Sequence, residues 1–369
     1  MAPSERALQL REGARQGSAQ DQYSLGLYYN IGAQGLQQNK WMAAQLYRKA
    51  AGQGHAGAQH QLGILCENGE GVEQNPEQAV SWYREAAERG DPRGQSSLGL
   101  MYSTGTGVEQ NFELAVSWYR EAAKQGDAEG QYALGHMYHN GKGVEQNLEL
   151  AVSWYREAAT QGHLVGKCNL GECLLRGDGV EKDAEAAVTW FREVADAGNT
   201  QAQFYLAECY ALGEGVKQND ALAVKWWARA VNGGHVIARY NLGVGYMHVT
   251  YGLPKDIKLA KAFMQSAAKR GHAGAIKALK VLGSCAMELE PGPCLLCGAP
   301  DITRTCLGCR QVRYCTLTCQ DQDWASHKPD CGGLKSCLCY SCMGARRGES
   351  TSSAAAGGGE SSTASAAAI

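Results

Sequence analysis

Seven cysteines and one histidine lie between positions 294 and 331, and such side chains bind zinc in proteins. They form four closely spaced pairs: Cys294 and Cys297, Cys306 and Cys309, Cys315 and Cys319, and His327 and Cys331. A closed tetrahedral site takes four such ligands, so eight predict two structural zinc ions. Because protein would fill every position on each ion, no open site remains for water activation. We therefore expect no catalytic residues here.

The spacing leaves the assignment of ligands to ions open. A sequential division, first four and last four, accounts for the eight donors as well as an interleaved one does. The competing interpretation is a disulfide knot, since the chain has 15 cysteines. The N-terminus has no apolar segment typical of a secretory signal, which favours a reducing compartment and therefore metal binding over disulfides.

The segment 294–331 resembles the MYND-type zinc finger beyond its ligands: Tyr314 precedes the fifth ligand, Gln320 follows the sixth, and Trp324 precedes His327 by three positions. The resemblance implies the interleaved pairing. Zinc 1 would be bound by Cys294, Cys297, Cys315 and Cys319. Zinc 2 would be bound by Cys306, Cys309, His327 and Cys331. It also implies that the finger docks a short Pro-rich peptide near Gln320 and Trp324. Trp324 as part of the finger's own core is the other interpretation.

Charge argues against nucleic acid as the partner. The whole chain has a net charge of −2, and residues 291–347 contain seven Lys/Arg and four Asp/Glu. With seven thiolates and two zinc ions counted, the finger is close to neutral. A domain that neutralises several phosphates needs a clear basic excess. No stretch of 18 apolar residues is present, so we expect no membrane span.

The elements before the finger form an internal repeat. The sequence Val-Ser-Trp-Tyr-Arg-Glu-Ala-Ala begins at Val80, Val116 and Val152, at a spacing of 36 residues. This period predicts seven units, at 19–55, 56–91, 92–127, 128–163, 164–199, 200–235 and 236–272. Apolar residues at helical spacing predict two helices in each unit.

Recurring residues mark the boundaries and contacts of these helices. A Gly-x-Gly-Val turn follows the first helix in five units, and we expect its first glycine to end that helix. The second helix begins after a capping residue in every unit: Asn39, Asn75, Asn111, Asn147, Asp183, Asn219 and Asp256. A glycine inside most first helices predicts close helix packing. A tryptophan at one position of the second helix, from Trp82 to Trp226, predicts inter-repeat packing.

The pattern resembles the Sel-1-like repeat, a relative of the tetratricopeptide repeat. The resemblance implies an all-α, right-handed solenoid of helix pairs, here followed by a small two-zinc cross-brace finger. It also implies protein binding on the concave surface. Within the units, the ninth and twelfth positions of the first helix vary most, from Leu27 and Asn30 in the first unit to Val244 and Met247 in the seventh. Residues three apart share a helix face, and we hypothesise that this face binds a partner protein. Ordinary variable surface is the alternative.

Other histidines and cysteines have simpler interpretations. His136 and His139 supply only half a metal site, so we expect solvent-facing histidines. A histidine follows glycine at the end of four units, and we expect loop residues with a repeated role: His55, His163, His235 and His272. Cys168, Cys173 and Cys209 are expected to be small apolar fillers.

The remaining segments complete the domain organisation. Residues 1–18 resemble part of an earlier unit, 273–288 a closing helix and 289–293 a hinge with two prolines. After the finger, 332–369 contains Cys337, Cys339 and Cys342, too few for a metal site alone, and a Ser/Ala/Gly tail that we expect to be disordered.

These patterns predict an intracellular, cytoplasmic or nuclear, zinc-binding adaptor in which the repeats hold one protein and the finger a second. The alternatives are a ubiquitin-ligase component or substrate receptor and a transcriptional co-regulator. A methyltransferase is disfavoured because the chain has no Asn-His-x-x-x-Pro-Asn stretch.

Overall fold

The computed structural model describes residues 3–284, 304–305 and 313–314. The chain divides into two units, Met1–Ile276 and Lys277–Ile369. The first helices of the seven repeats are α2 (Ala19–Ile31), α4 (Ala56–Asn68), α6 (Pro92–Thr104), α8 (Ala128–Asn140), α10 (Leu164–Arg176), α12 (Thr200–Leu212) and α14 (Val236–His248). The second helices are α3 (Lys40–Gly52), α5 (Pro76–Glu88), α7 (Phe112–Lys124), α9 (Leu148–Thr160), α11 (Ala184–Asp196), α13 (Asp220–Asn232) and α15 (Ile257–Ala268).

Two further helices flank the repeats, α1 (Glu5–Arg15) and α16 (Ala273–Ser284). Two short strands, β1 (Arg304–Thr305) and β2 (Arg313–Tyr314), pair antiparallel. Each second helix packs against its own first helix and, in the first six repeats, against the first helix of the next repeat. The predicted all-α solenoid is therefore confirmed. None of the described helices has the length and hydrophobicity needed to cross a bilayer.

The predicted caps begin all seven second helices. In each, the Asn or Asp side chain accepts a hydrogen bond from the backbone N–H three residues on, as Asn75 does from Gln78 at 2.8 Å. Such a cap contributes about 1 kcal/mol to stability. The first helices end at a left-handed glycine in the first six repeats and at Val249 in the seventh.

The glycine inside the first helix lies against an aromatic ring of its own repeat. A Cβ on Gly99 would lie 2.7 Å from Cε1 of Tyr119, and Gly63 stands in the same relation to Tyr83. The tryptophan stripe is only part of this packing, because Trp82, Trp118, Trp154 and Trp190 are half-buried. The residue after each tryptophan is the fully buried ring.

A row of buried glutamines joins successive repeats. Gln95 donates through Nε2 to the carbonyl of Ala87, at the end of the preceding repeat, at 3.3 Å. Its own oxygen accepts from Nε2 of Gln125 at 2.8 Å, and Gln131 is bonded to Gln161 in the same way. Gln59 and Gln203 lack that second partner, since Arg89 and Gly233 occupy the equivalent positions. Their Oε1 atoms are buried and have no hydrogen bond within the described part of the chain.

We expect Gln95→Leu to lower the free energy of unfolding by about 1–2 kcal/mol, because two hydrogen bonds are lost: the one to the Ala87 carbonyl, which still accepts from the backbone N–H of Gly90, and the one from the Gln125 amide. Urea unfolding measures the change. Gln203→Leu is the matched control and should cost less, because that side chain makes one bond, to the Ala195 carbonyl, and its oxygen has no partner to lose. Equal costs would contradict this account of the row.

Candidate protein-binding surface

The first helices form the inner layer of the solenoid. Contacts across repeat boundaries join α4 to α6, α6 to α8 and α10 to α12, whereas no two successive second helices in the described part touch as extensively. A stack whose one layer is more closely spaced curves toward that layer. The solvent side of the first helices is therefore the concave face, and we call it the inner face.

The ninth and twelfth positions of the first helices, predicted to read a partner, lie at this layer but differ in their surroundings. The type of residue at the twelfth position depends on which side chain the second helix of the same repeat buries beside it. The hydroxyl of Tyr83 donates to Glu67 at 2.7 Å, and the hydroxyls of Tyr119 and Ser103 are 3.3 Å apart. Repeats with a buried tyrosine have a polar twelfth residue: Asn30, Glu67, Ser103 and His139.

The remaining three repeats have no tyrosine at this position of the second helix, and their twelfth residue is apolar. Leu175, Ala211 and Met247 accompany Phe191, Trp227 and Met264, respectively. The polarity of the twelfth residue therefore varies with the buried side chain that it contacts inside the same repeat. We therefore keep the prediction of partner binding for the ninth position only.

Some side chains at the ninth position are exposed, and others are already hydrogen-bonded or ion-paired within the protein. Leu100 is 48% exposed. Glu172 is paired with Arg176 at 2.8 Å. Glu208 accepts from Nε1 of Trp227 at 3.0 Å and from Asn241 at 2.9 Å, and burial raises the pKa of this carboxyl. Charge reversal at Glu208 would remove the acceptor of a buried indole, so it is a poor test of partner binding.

The four histidines that end repeats are N-caps of the helices that follow. His163 accepts through Nδ1 from the backbone N–H of Gly166 at 3.0 Å, and its ring stacks on Tyr132 with centroids 4.8 Å apart. The other three caps stack in the same way: His55 on Tyr23, His235 on Phe204 and His272 on Tyr240. Where the cap is Asp or Asn, the stacking position holds His60, Ser96 or Cys168.

This correlation is visible in the sequence but was missed there. A tyrosine or phenylalanine at the fifth position of a first helix goes with a histidine at the end of the same repeat, in all four cases. The predicted repeating role of these histidines is thus structural, because cap and stack hold the ends of consecutive first helices together.

Burial lowers the pKa of His60 to about 4, although the carboxylates of Asp91 and Asp127 oppose the shift; Arg93 adds to it. The folded chain therefore binds fewer protons than the unfolded chain, whose histidines titrate near pH 6.5. The contribution of neutral His60 to stability is complete above about pH 6.5 and is lost as the pH falls toward about 4.

We expect the free energy of unfolding to decrease between pH 6.5 and 4.5, with His60 accounting for on the order of 3 kcal/mol by pH 4. Urea unfolding of the wild type and of His60→Gln at several pH values isolates this part, since the variant cannot take up that proton. Burial also lowers the pKa of His136 and His235, and those contributions remain in both proteins. Parallel pH profiles for the two would refute the assignment to His60.

The other predicted side chains carry no metal site in the described part. His136 and His139 are half-buried, not solvent-facing, and no group of three potential ligands surrounds them or any other described residue. Cys168, Cys173 and Cys209 are buried, and burial raises the pKa of each thiol to about 12. They are unreactive fillers, as expected.

The predicted zinc ligands lie outside the described residues. In sequence, Cys306 follows β1 directly and Cys315 follows β2 directly. Gln320, Trp324, Cys337, Cys339 and Cys342 also lie outside the described residues, as does the predicted tail. The donor set is nevertheless the one zinc prefers, seven sulfurs and an imidazole in pairs that suit a closed structural site.

Two family models match the chain. The Sel1 repeat matches at 19–55, 56–91, 92–127, 128–163, 165–199, 200–235 and 236–272. The MYND finger matches at 294–331. No curated protein matches the chain.

Two solved structures share the fold at 31% sequence identity. One is c5321, a protective antigen of uropathogenic Escherichia coli strains that displays an SLR fold; it matches with a TM-score of 0.57 over 75% of this chain and 67% of its own. The other is a Sel1 repeat protein from Oxalobacter formigenes, with a TM-score of 0.59 over 67% of this chain and 96% of its own.

Proposed function

Because the chain belongs to the Sel1-repeat family and also contains a MYND finger, we propose that it is an adaptor whose repeats bind one protein along the inner face and whose finger binds another. Both kinds of module mediate protein–protein interactions, and Sel1-repeat proteins are generally non-enzymatic. The observation that carries the proposal for the repeats is the set of apolar side chains exposed on the inner face. Leu100, Val165 and Ile237 are 48%, 41% and 44% exposed on the first helices of the third, fifth and seventh repeats.

Charged side chains lie beside Leu100. The side chain of Glu129 is 62% exposed and that of Arg93 is 48% exposed. An apolar strip with polar edges is typical of a surface that a protein segment covers. The exposed apolar side chains on α6, α10 and α14 extend over several repeats, and this extended form suits a segment of a partner protein.

The finger supplies the second half of the proposal. Two zinc ions, held by the interleaved ligand sets predicted above, would fold the segment 294–331. A short Pro-rich peptide would then dock near Gln320 and Trp324. Zinc here stabilises the fold and supplies no reaction chemistry, because its ligands saturate it.

Affinity purification with matched variants tests the repeat surface. We expect Val165→Arg to reduce recovery of the repeat-bound partner at least tenfold, because it places a charge in an apolar contact. Leu150→Arg is the control, since Leu150 is also 41% exposed but lies on the second helix α9. Equal recovery with wild type and Val165→Arg would refute binding along the inner face.

Removal of residues 294–331 tests the finger in the same experiment. We expect this deletion to lose a separate set of interacting proteins while the repeat-bound partner remains. If the deletion and the wild type recover the same proteins, the finger does not dock a partner.

A further inference from the structure

The ring that each second helix buries usually has an aromatic neighbour. Ring centroids lie 4.8–6.1 Å apart in these pairs: Tyr47 and Tyr23, Tyr83 and His60, Tyr155 and Tyr132, Phe191 and Tyr205, and Trp227 and Tyr251. The seventh repeat has Met264 in place of a ring. Tyr119 in the third repeat is the exception, because it pairs with no aromatic ring among the described residues.

The exception has a cause in the sequence. Ser96 occupies the fifth position of α6, where the fourth repeat has Tyr132, and the next cap is Asp127 where the fourth repeat has His163. The hydroxyl of Ser96 donates to Oδ2 of Asp127 at 2.5 Å. The fifth repeat also lacks a ring at this position, at Cys168, but there Tyr205 of the sixth repeat stacks on Phe191.

A pocket of about 250 Å³ lies at the place of the missing ring. In the fourth repeat, the ring of Tyr132 lies 6.3 Å from His136 and 6.1 Å from Tyr155. The third-repeat counterparts of those two residues are Leu100 and Tyr119, and both line the pocket. The volume is below the 300–1,000 Å³ typical of pockets for whole small molecules, so it suits one side chain.

The charged residues around the pocket limit which side chain of a partner can bind in it. The guanidinium of Arg93 lies on one wall, half exposed and bonded to Asp91 at 3.1 Å, and it disfavours a cation. The carboxylates of Asp127 and Glu129 line another part and disfavour a phosphate or carboxylate. A neutral group that can donate and accept hydrogen bonds remains.

A buried imidazole and a hydroxyl group make one end of the pocket polar. His60 lines the pocket and is only 7% exposed, and its Nδ1 has no hydrogen-bond partner among the residues that the structure describes. Its Nε2 is 3.1 Å from the hydroxyl of Ser97. The imidazole and the Ser97 hydroxyl make this end of the pocket polar, so a bound hydroxyl group that reaches it would be favoured.

We propose that the third-repeat pocket binds one tyrosine side chain of a partner segment held on the inner face; this inference rests on the proposed function of the repeats. The ring takes the place that Tyr132 occupies in the fourth repeat, between Leu100 and Tyr119. The phenol hydroxyl lies at the polar end formed by Asp127, Ser97 and His60.

Titration of the full chain with N-acetyl-L-tyrosinamide tests the pocket, with the methyl NMR signals of Leu100 as the readout. We expect saturable shifts of these signals. N-acetyl-L-phenylalaninamide should bind about three- to tenfold more weakly, because it lacks the hydroxyl. N-acetyl-L-lysinamide should not saturate. No saturable shift with the tyrosine probe, or equal affinity for all three probes, would overturn the proposal.

Two variants built from the chain's own residues sharpen the test. Ser96→Tyr combined with Asp127→His fills the pocket with the pair found at Tyr132 and His163, and should weaken probe binding at least tenfold. Tyr132→Ser combined with His163→Asp should open a second pocket and raise the stoichiometry from one to two. Unchanged affinity in the first variant, or a stoichiometry that stays at one in the second, would contradict the assignment.

The same measurements separate this inference from the proposed function. Partner recovery that depends on Val165 in a chain that binds no tyrosine probe would refute the pocket and leave the adaptor function supported. Probe binding at Leu100 in a chain whose partner recovery is unaffected by Val165→Arg would support the pocket and refute the proposed partner surface.

Discussion

Removal of zinc from the full chain is expected to unfold the segment 291–332 while the described repeat helices stay folded. Metal binding contributes on the order of 10–16 kcal/mol to the folding of zinc-finger peptides, far more than a 38-residue segment gains from its own apolar core. The repeats have no metal-ligand group among their described residues and are stabilised by helix packing. The two parts should therefore respond differently to a chelator.

Hydrogen exchange with and without chelator measures this difference directly. Amides of 291–332 should lose protection, and the far-ultraviolet circular dichroism of the helices should change little. Native mass spectrometry of the untreated chain should find two zinc ions. Loss of the helical signal together with zinc would contradict independent folding, and cysteines crosslinked to one another with no bound ion would show that the disulfide interpretation was correct.

Gly107→Ala is expected to lower the free energy of unfolding by about 2–5 kcal/mol. Gly107 is the second glycine of a Gly-x-Gly-Val turn and has a φ of +67°, a conformation that costs an L-residue about 1–2 kcal/mol. Its Cβ would also lie 2.5 Å from the carbonyl carbon and oxygen of Pro76, at the start of the preceding repeat's second helix. Backbone cannot move aside as a side chain can, so overpacking adds about 1–3 kcal/mol.

Gly126→Ala is the matched control for this substitution. Gly126 has a φ of +83°, but a Cβ there would meet nothing within 4 Å. It should cost only the conformational part, about 1–2 kcal/mol. Urea unfolding of both variants gives the comparison, and equal losses would show that the approach of the turn to Pro76 contributes nothing.

The repeat architecture could be predicted from the sequence because its signals are local. The period, the seven Asn and Asp caps and the apolar spacing each lie within one unit, and the structure confirms the helices they predict. The second glycine of the turn was left unexplained, since its neighbour Pro76 lies in the preceding repeat. The pattern within one unit does not show which residues of the neighbouring repeat a given position contacts.

The candidate surface could be predicted only in part. Sequence variation at the ninth and twelfth positions indicated recognition, but variation at the twelfth follows the buried ring of the same repeat, as Glu67 and Tyr83 show. The third-repeat pocket was missed because Ser96 is an unremarkable residue until the ring at Tyr132 and the gap beside Tyr119 are compared in space. The zinc-ligand assignment stays a prediction, since those residues lie outside the described part.

Hydrogen exchange of the full chain, alone and with the partner recovered through the repeats, tests the central claim most directly. Partner binding on the inner face predicts added protection in the first helices α6, α8 and α10 and little change in the second helices α7, α9 and α11. Protection confined to the second helices, or no added protection within 19–272, would contradict it.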